Sequence, residues 1–382
     1  MRIGINALYL LPGKVGGSEV YIRNLAKWLD RTDKDNEYFI FINKESQGIF
    51  EQAAPQMNVV LCPIQAGSRP VRILWEQLIL PFQVWHYKID VLLSAGMTSP
   101  VYCPAASILV IHDLQFINQP QNFSKGYLMF LRAIIYCSAK SADGIIAISQ
   151  KVKQDIVKYY KIPLEKIATI YHGIDHNTFF RRNKEDIAQV RAKYNLPESF
   201  ILYPASILPH KNHERLFQAF KIIKEREQEI KLVLIGITDN KQNVILGKIQ
   251  ELGLQDDVIF LGWLPFEDIP LLYCASGIFV FPSIHEGFGI PILEAMGCGV
   301  PVVCSGIEPL KEIAGDGALF VDPYNPDSIA EGVLSVIDDD RLSQKLIENG
   351  SKRVKDFTWE NTALSTISFL SSWVKGKMLA KL

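Results

Sequence analysis

Short apolar runs alternate with longer amphipathic stretches along almost the whole chain, and this alternation limits the fold more than any other feature of the sequence. In the first half the runs are RIGIN, YFIFIN, NVVLCP, IDVLLSA, SILVIHD, GIIAIS and TIYHG, and in the second half FILYPAS, KLVLIGI, DVIFLGW, GIFVFPS, VPVVCS and GALFVDP. Short buried strands separated by helical segments are typical of βα units, in which helices cover a parallel sheet. The sequence therefore predicts an α/β protein.

The chain is also long enough for two domains, because 382 residues exceed what a single hydrophobic core usually supports. Between the two sets of strands, residues 176–198 are polar and contain no strand pattern, which makes them the natural hinge. Two doubly wound domains would face each other across a cleft, with ligands at the carboxyl ends of the strands. The pattern from Trp359 onward is helical, and a terminal helix need not stay with the domain that precedes it.

Composition excludes several classes of function. Forty Lys and Arg residues against 41 Asp and Glu give a net charge of −1, so no overall attraction to nucleic acid or to an anionic membrane is expected. The six cysteines are scattered without a C-x-x-C pair or a Cys/His pair at metal-ligand spacing, which argues against a disulfide framework and a zinc site. The first residues lack the apolar region and cleavage site of a signal peptide, and no apolar run approaches 18 residues. We expect a cytoplasmic protein.

The segment HEGFGIPILEAMGCGVPVVCS, residues 285–305, carries the clearest chemical pattern. It predicts a loop and then a helix from about Pro291 to Ala295–Gly297, because proline is favoured in the first turn. Amides of the Gly-Phe-Gly loop at the helix N-terminus would favour phosphate. Glu294 could accept two hydrogen bonds from the hydroxyls of a ribose, with Glu286 nearer the reacting end of the ligand. A plainer interpretation makes Glu286 a partner of the helix dipole and Glu294 a solvated helix residue, and the spacing alone leaves both open.

This segment resembles the E-x7-E motif of retaining glycosyltransferases of family 4. Six further segments resemble motifs of the same family in the expected order: GGSEVYIRNLAKWL (16–29), VIHDL (110–114), AISQKVKQDI (147–156), HGID (172–175), YPASILPHKNHERLFQAF (203–220) and FTWENTA (357–363). The resemblance implies the GT-B fold, in which two Rossmann-like, doubly wound domains face a central cleft. An acceptor-binding domain would comprise residues 1–178 with a returning helix, 362–382, and a donor-binding domain would comprise residues 179–361.

The resemblance also implies roles for individual residues. Catalytic roles fall to His112, Lys211 and Glu286. Donor-binding roles fall to Gly16, Gly17, Ser206, Trp263, Leu264, Gly287, Phe288, Gly289, Ile290 and Glu294. Lys211 would neutralise the leaving diphosphate, His112 would lie over the reacting sugar, and Glu294 would bind the ribose. The residues alone leave simpler alternatives open: an exposed lysine opening a helix, a helix cap at Asp113 with His112 incidental, and a bare tight turn at Gly16 and Gly17.

One position departs from the family pattern. Ser206 stands where many members have an arginine that gives the diphosphate a second cation. His210 and His213 are nearby candidates to replace it, although each is more typical of a loop or a cap.

No divalent metal or other cofactor is expected. The Asp triplet at 338–340 and the pair formed by Asp33 and Asp35 satisfy a D-x-D signature, but neither follows a strand. Both are more typical of the charged ends of surface helices.

Two stretches mix basic and aromatic residues: RPVRILWEQLILPFQVWHYK (69–88) and SKGYLMFLRAIIYCSAK (124–140). Such stripes lie on membrane surfaces in some proteins and form core helices in more. If the acceptor is lipid-linked, these helices are where peripheral membrane association is expected.

The resemblance implies retaining transfer of a hexose from a nucleotide-diphosphate sugar to a hydroxyl of a glycan or lipid-linked acceptor in surface polysaccharide synthesis. UDP-hexose, such as UDP-glucose, is expected ahead of GDP-mannose. Three alternatives remain: a glycosidase that uses Glu286 and Glu294 as its acid pair, a nucleotide-sugar epimerase, and a catalytically silent nucleotide-sugar binding protein.

Overall fold

A computed structural model describes residues 1–236 and 242–379, which form two compact units. Unit 1 comprises Met1–Gly173 and Thr358–Leu382, and unit 2 comprises Ile174–Phe357. Relative to the boundaries expected from the sequence, residues 174–178 belong to unit 2 and residues 358–361 to unit 1. The reason is local, because the amide of Ile174 donates to the carbonyl of Phe357 in unit 2, whereas Trp359 stacks on His172 in unit 1.

Unit 1 is built on a sheet that has seven strands within its described residues, all of them parallel. The strands are β1 (Arg2–Asn6), β2 (Glu37–Ile42), β3 (Asn58–Leu61), β4 (Val91–Ser94), β5 (Ala106–Ile111), β6 (Gly144–Ala147) and β7 (Ile167–Thr169). Their order is β3-β2-β1-β4-β5-β6-β7. The direction of winding reverses between β1 and β4, and in open α/β sheets ligands bind at such a switch point, beyond the carboxyl ends of the strands.

The helices of unit 1 connect these strands and return at the end of the chain. They are α1 (Gly17–Thr32), α2 (Ile49–Ala53), α3 (Arg69–Leu78), α4 (Leu80–His86), α5 (Gln115–Asn118), α6 (Lys125–Ser141), α7 (Gln150–Tyr160) and, after unit 2, α16 (Trp359–Leu379). Helix α16 packs on α1, β4 and β5. Helix α16 therefore belongs to unit 1, although it follows unit 2 in the sequence.

Unit 2 repeats the arrangement with a parallel sheet of six strands in its described part. The strands are β8 (Phe200–Pro204), β9 (Lys231–Ile235), β10 (Val258–Gly262), β11 (Ile278–Phe281), β12 (Val302–Ser305) and β13 (Ala318–Val321). The helices are α8 (Lys184–Tyr194), α9 (His213–Arg226), α10 (Gln242–Glu251), α11 (Ile269–Ala275), α12 (Ile290–Gly297), α13 (Leu310–Ala314), α14 (Pro326–Asp338) and α15 (Asp340–Arg353). The order β10-β9-β8-β11-β12-β13 reverses between β8 and β11, which is the switch point of this sheet.

The predicted α/β class with two parallel sheets is confirmed. The predicted hinge, residues 176–198, is mostly not a linker, because α8 occupies 184–194 and packs on α11. Arg191 Nη2 donates to the carbonyl of Ala275 at 2.8 Å, and Lys193 Nζ lies 2.6 Å from Asp268 Oδ2. The polar composition of this stretch reflects the exposed face of a helix that belongs to unit 2.

Gly173 allows the segment that leaves unit 1 for unit 2 to pass close to the backbone at the start of α16. A Cβ built at this position would lie 2.1 Å from the backbone nitrogen of Trp359, and backbone atoms cannot move aside as a flexible side chain can. Gly126, in the first turn of α6, has no atom within 4 Å of a built Cβ.

We expect Gly173→Ala to destabilise the protein by about 3 kcal/mol, the scale of an overpacked core. Gly126→Ala should leave stability unchanged or raise it by up to about 1 kcal/mol, because alanine is the better helix former. Urea unfolding of the two variants beside the wild type measures both. Equal midpoints for the two variants would show that Gly173 is not sterically required.

Candidate active site

The loop between β11 and α12 holds three of the residues implied for donor binding, Gly287, Phe288 and Gly289, and α12 carries Ile290 and Glu294. The loop ends at Gly289, whose φ of 107° lies in the left-handed region that favours glycine. A Cβ there would also lie 2.7 Å from Leu310 Cδ2. The helix α12 then starts at Ile290 and places Pro291 in its first turn, in agreement with the predicted helix.

Lys211 and Glu286 meet in unit 2 although they are 75 residues apart. The Nζ of Lys211 lies 2.5 Å from Oε1 of Glu286, and their side chains are only 16% and 12% exposed. Lys211 ends a short 3-10 turn after β8, and Glu286 lies in the loop after β11, so the pair spans the switch point of the sheet. Partly buried opposite charges of this kind screen each other, and an incoming diphosphate would compete with Glu286 for the ammonium group.

Asn212, which the sequence analysis did not single out, fixes the loops around this pair. Its Nδ2 donates to the carbonyls of Pro282 and Pro323 at 2.9 and 2.7 Å, and its φ of 66° is left-handed. It thereby joins the loops that follow β8, β11 and β13. The tolerance of asparagine for left-handed backbone after the P-H-K turn was the available sequence signal.

Glu294 lies on α12 and is half-buried, so it is not the solvated helix residue of the plainer interpretation. The hydroxyl of the buried Tyr273 donates to its Oε2 at 2.8 Å. Burial raises the pKa of Glu294 from its ordinary value of 4.5 to about 7, and the hydrogen bond from Tyr273 opposes that rise. One bond leaves the carboxylate capable of accepting the two that a ribose diol offers.

The remaining predicted residues of unit 2 are placed as follows. Phe288 is buried and packs edge-on against Phe357 at 6.0 Å, between the half-buried Gly287 and the left-handed Gly289. Ile290 is half-buried at the start of α12. Ser206 is exposed after β8. Trp263 is exposed and Leu264 buried after β10, which lies three strands from β11 in the order of the sheet.

Of the two histidines considered as replacements for the missing arginine, His213 is not a second cation. His213 is buried and packs against Tyr203 at 5.0 Å. Burial, aided by the charge of Lys211, lowers the pKa of His213 to about 4, so it is neutral near pH 7. The carbonyl of His210 accepts a 2.8 Å hydrogen bond from the amide of Ile284, which joins the two loops of the site.

His112 follows β5 in unit 1 and is buried. Its Nε2 lies 2.9 Å from the carbonyl of Ala95, which requires Nε2 to carry the proton and leaves a lone pair on Nδ1. Burial lowers the pKa of His112, so the neutral ring is favoured. Asp113 accepts from the amide of Gln115 at 3.0 Å, but the residue at the cap position of α5 is Leu114, so Asp113 is not the helix cap that was weighed for it.

An aromatic cluster surrounds His112 that the motifs did not indicate. Tyr21 packs edge-on to His112 at 5.1 Å and stacks on His172 at 4.8 Å, and the ring of Trp359 lies 5.8 Å from that of His172 and 6.3 Å from that of Tyr21. Burial holds the pKa of His172 well below its ordinary value. Two neutral histidines therefore lie within one apolar cluster, which holds the ring of His112 in place.

Gly16 and Gly17 precede and open α1 after β1, at the switch point of unit 1. Gly16 has a φ of 58°, and a Cβ built at either glycine would meet no atom within 4 Å. The backbone is therefore open at this point, which suits a close approach by a ligand. Glu19 Oε2 also accepts from the amide of Gly13 at 2.7 Å, a contact that the sequence did not indicate.

Asp residues of the two D-x-D sequences accept hydrogen bonds at the ends of helices. Asp339 accepts from the amides of Arg341 and Leu342 at the start of α15, and Asp33 accepts from Tyr38 and Asn36 after α1. Within residues 1–236 and 242–379, no group of three or more His, Cys, Asp or Glu side chains is arranged to hold a metal ion.

Comparison with known proteins agrees with the fold. The family model described as glycosyl transferases group 1 matches residues 184–353, and that described as glycosyltransferase family 4 matches residues 15–178. O-antigen chain mannosyltransferase B of Escherichia coli is 32% identical over 69% of each chain. The serotype-specific mannosyltransferase WbdA of Escherichia coli is 31% identical over 68% of this chain and 32% of its own length. Sucrose-phosphate synthase of Thermosynechococcus elongatus superposes over the full length of both chains with a TM-score of 0.78 at 21% identity.

Two parallel-sheet α/β units in this connectivity, similar over the whole chain to a solved structure, have the GT-B fold. Both halves are matched by the corresponding family models. The chain belongs to the group 1 glycosyltransferases of family 4.

The raised pKa of Glu294 predicts a pH-dependent cost to folding. Because the folded pKa exceeds the ordinary value, the wild type loses stability as pH rises from about 4.5 through 7, by an amount on the order of 3 kcal/mol. We expect Glu294→Gln to have the same free energy of unfolding as the wild type near pH 4.5. At pH 8 the variant should be more stable than the wild type by up to about 3 kcal/mol. Chemical unfolding at the two pH values measures the difference.

Glu331→Gln provides the control, since Glu331 lies on the exposed face of α14. It should shift stability little at either pH. If the free energy of unfolding of Glu294→Gln differs from that of the wild type by the same amount at pH 4.5 and pH 8, the raised pKa is contradicted.

Proposed function

We propose that this glycosyltransferase moves a hexose, with retention at the anomeric carbon, from a nucleotide-diphosphate sugar to a hydroxyl of a glycan or lipid-linked acceptor. Surface polysaccharide synthesis is the proposed setting, supported by the names of the Escherichia coli relatives. The observation that carries the proposal is the Lys211–Glu286 pair beside the start of α12, with Glu294 on the same helix.

Departure of the diphosphate is the difficult step, because the sugar becomes an oxocarbenium-like centre while negative charge collects on the phosphates. Lys211 and the amides of residues 287–291 would stabilise that charge. Binding would replace Glu286 by phosphate oxygens as the partner of the ammonium group and turn the carboxylate toward the sugar. In this front-face route the leaving phosphate helps to deprotonate the acceptor hydroxyl.

Glu294 would bind the ribose of the donor. Two hydroxyls that donate to the carboxylate favour its charged form, so binding would lower the pKa from about 7 and release a proton. Donor affinity should therefore increase as pH rises through neutrality.

The donor sugar is proposed on the names of relatives. The sequence favoured UDP-glucose, with GDP-mannose next. Both curated relatives described above are mannosyltransferases, which supports a mannosyl donor ahead of a glucosyl one. Catalysis is proposed to need no divalent metal, because one ammonium group and backbone amides would neutralise the diphosphate.

The glycosidase alternative fits the contacts less well. Its two carboxyl groups would need to line the same sugar subsite. Here the carboxylate of Glu286 is paired with Lys211, whereas that of Glu294 is bonded to Tyr273. An epimerase and a silent binding protein are separated from the transferase by whether nucleotide release depends on an acceptor.

Two substitutions should separate donor binding from transfer. Glu294→Ala should weaken nucleotide-sugar binding by about tenfold or more, because it removes charge-assisted hydrogen bonds to the ribose. Lys211→Ala should lower kcat by about 100-fold with a smaller effect on binding, because it acts on charge that develops in the transition state. Calorimetric titration and acceptor-dependent nucleotide release measure the two effects.

Lys221→Ala is the matched control, since Lys221 is exposed on α9, ten residues beyond Lys211. It should leave binding and turnover unchanged. Wild-type kinetics and binding in both site variants would remove the site assignment.

A donor panel should identify the reaction. In the presence of a glycan acceptor, we expect GDP-mannose to be turned over at least tenfold faster than UDP-glucose. NMR of the first product should show the anomeric configuration of the donor, and excess EDTA should leave the rate unchanged. An inverted anomer would refute retention, and loss of activity with EDTA that Mg²⁺ restores would refute metal independence.

A further inference from the structure

The exposed face of α3 and α4 is apolar, which is the reverse of the usual arrangement for a surface helix. Val71, Leu74, Leu78, Phe82 and Trp85 follow one another at spacings of three or four residues and are each between 47% and 68% exposed. The opposite side of α3 carries a charge instead, because Glu76 is 1% exposed. We call these five exposed residues the apolar stripe.

Glu76 is retained in the interior by hydrogen bonds rather than by solvent. Its Oε2 accepts from Asn6 Nδ2 and from Thr98 Oγ1, each at 3.0 Å, and Arg72 Nη1 lies 3.5 Å away. These bonds fix the rotation of α3 on the sheet. The apolar stripe therefore faces outward because of a specific anchor beneath it.

Helix α6 lies beside α3 and extends the exposed apolar surface. At one end the guanidinium of Arg69 lies 4.8 Å from the centre of the Tyr127 ring. At the other end Ser99 is bonded both to Gln77 of α3, at 2.9 Å, and to Ser138 of α6, at 3.1 Å. The two helices are thus joined at both ends through contacts within unit 1.

Further exposed apolar side chains lie on these joined elements. Val101 and Tyr102 are 49% and 75% exposed in the segment that follows Ser99, and the amide of Val101 is bonded to Gln77. Met129, Phe130 and Tyr136 are exposed on α6. An exposed apolar area of this extent on a soluble domain marks an interaction surface.

The charges on the same elements all have one sign at the surface. Residues 69–88 and 125–141 contain six Lys and Arg residues and one carboxylate, which is the buried Glu76. Five of the cations, Arg69, Lys88, Lys125, Arg132 and Lys140, are exposed, whereas Arg72 is half-buried beside Glu76. The whole chain has a net charge of −1, so this positive charge is a local property of the face.

We propose that the face formed by α3, α4, α6 and residues 101–102 docks on the surface of an anionic lipid bilayer. Apolar side chains would enter the boundary between headgroups and acyl chains while the cations contact anionic headgroups. A second copy of this chain fits the face less well, because a self-paired interface would bring cations against cations. The surface lies outside the residues assigned to sugar transfer, so the proposal stands or falls independently of the proposed function.

The test is sedimentation of the full-length protein with sucrose-loaded vesicles, either of phosphatidylcholine alone or with 30% phosphatidylglycerol. We expect binding to the anionic vesicles that weakens as salt is raised. L78E/W85E should reduce the partition coefficient at least tenfold. K125Q/R132Q/K140Q should remove most of the preference for phosphatidylglycerol.

The matched control is V244E/L246E, which places two glutamates on exposed positions of α10 in unit 2 and should bind vesicles like the wild type. Thermal unfolding checks that each variant is folded. If L78E/W85E does not fold, K125Q/R132Q/K140Q still tests the proposal. Absence of wild-type binding to anionic vesicles would overturn the proposal, as would unchanged binding by folded L78E/W85E. If the wild type does not bind vesicles but dimerises without lipid, and L78E/W85E abolishes that dimer, the face is the binding site of a second copy.

Discussion

The left-handed turn at Gly289 is the constraint on which the site in unit 2 depends. It reverses the chain between β11 and α12, and a Cβ at this position would lie 2.7 Å from Leu310 Cδ2. Glu286 lies three residues before this turn and meets Lys211 of the loop after β8, and α12 starts with its amides at the switch point of the sheet. One backbone conformation thus sets the positions of a charge pair, a helix N-terminus and the carboxylate one turn further on.

The parallel sheets explain why residues so distant in sequence meet. In both units the winding reverses at one place, and the loops on either side of that place come from strands that are neighbours in the sheet. In unit 2 these are the loops of Lys211 and Glu286, and Asn212 joins them to the loop after β13. In unit 1 they follow β1 and β4, where Gly16 leaves the backbone open and Ala95 orients His112.

The sequence predicted those parts of the structure that local pattern determines. Buried parallel strands are continuous apolar runs, so their number and class could be read directly, and Pro291 marked the start of α12. Contacts between distant segments could not be read in this way: the Tyr273–Glu294 bond, the Asn212 bonds and the buried Glu76 depend on tertiary packing. The hinge was misplaced for the same reason, because polarity alone does not distinguish a linker from the exposed side of α8.

Glu294 shows why a buried carboxylate can be both costly to stability and fixed in position. Its burial works against the charged form, and a hydroxyl from Tyr273 offsets only part of that cost. Tyr273 is itself held by stacking on Phe279 at 5.5 Å within the core, so the bond to Glu294 is made by a side chain that cannot rotate away. A carboxylate held in this way loses little side-chain entropy when hydroxyls bind to it, and those hydroxyls replace the hydration that burial removed. The unfavourable environment of the free protein is therefore the same arrangement that would favour a bound diol.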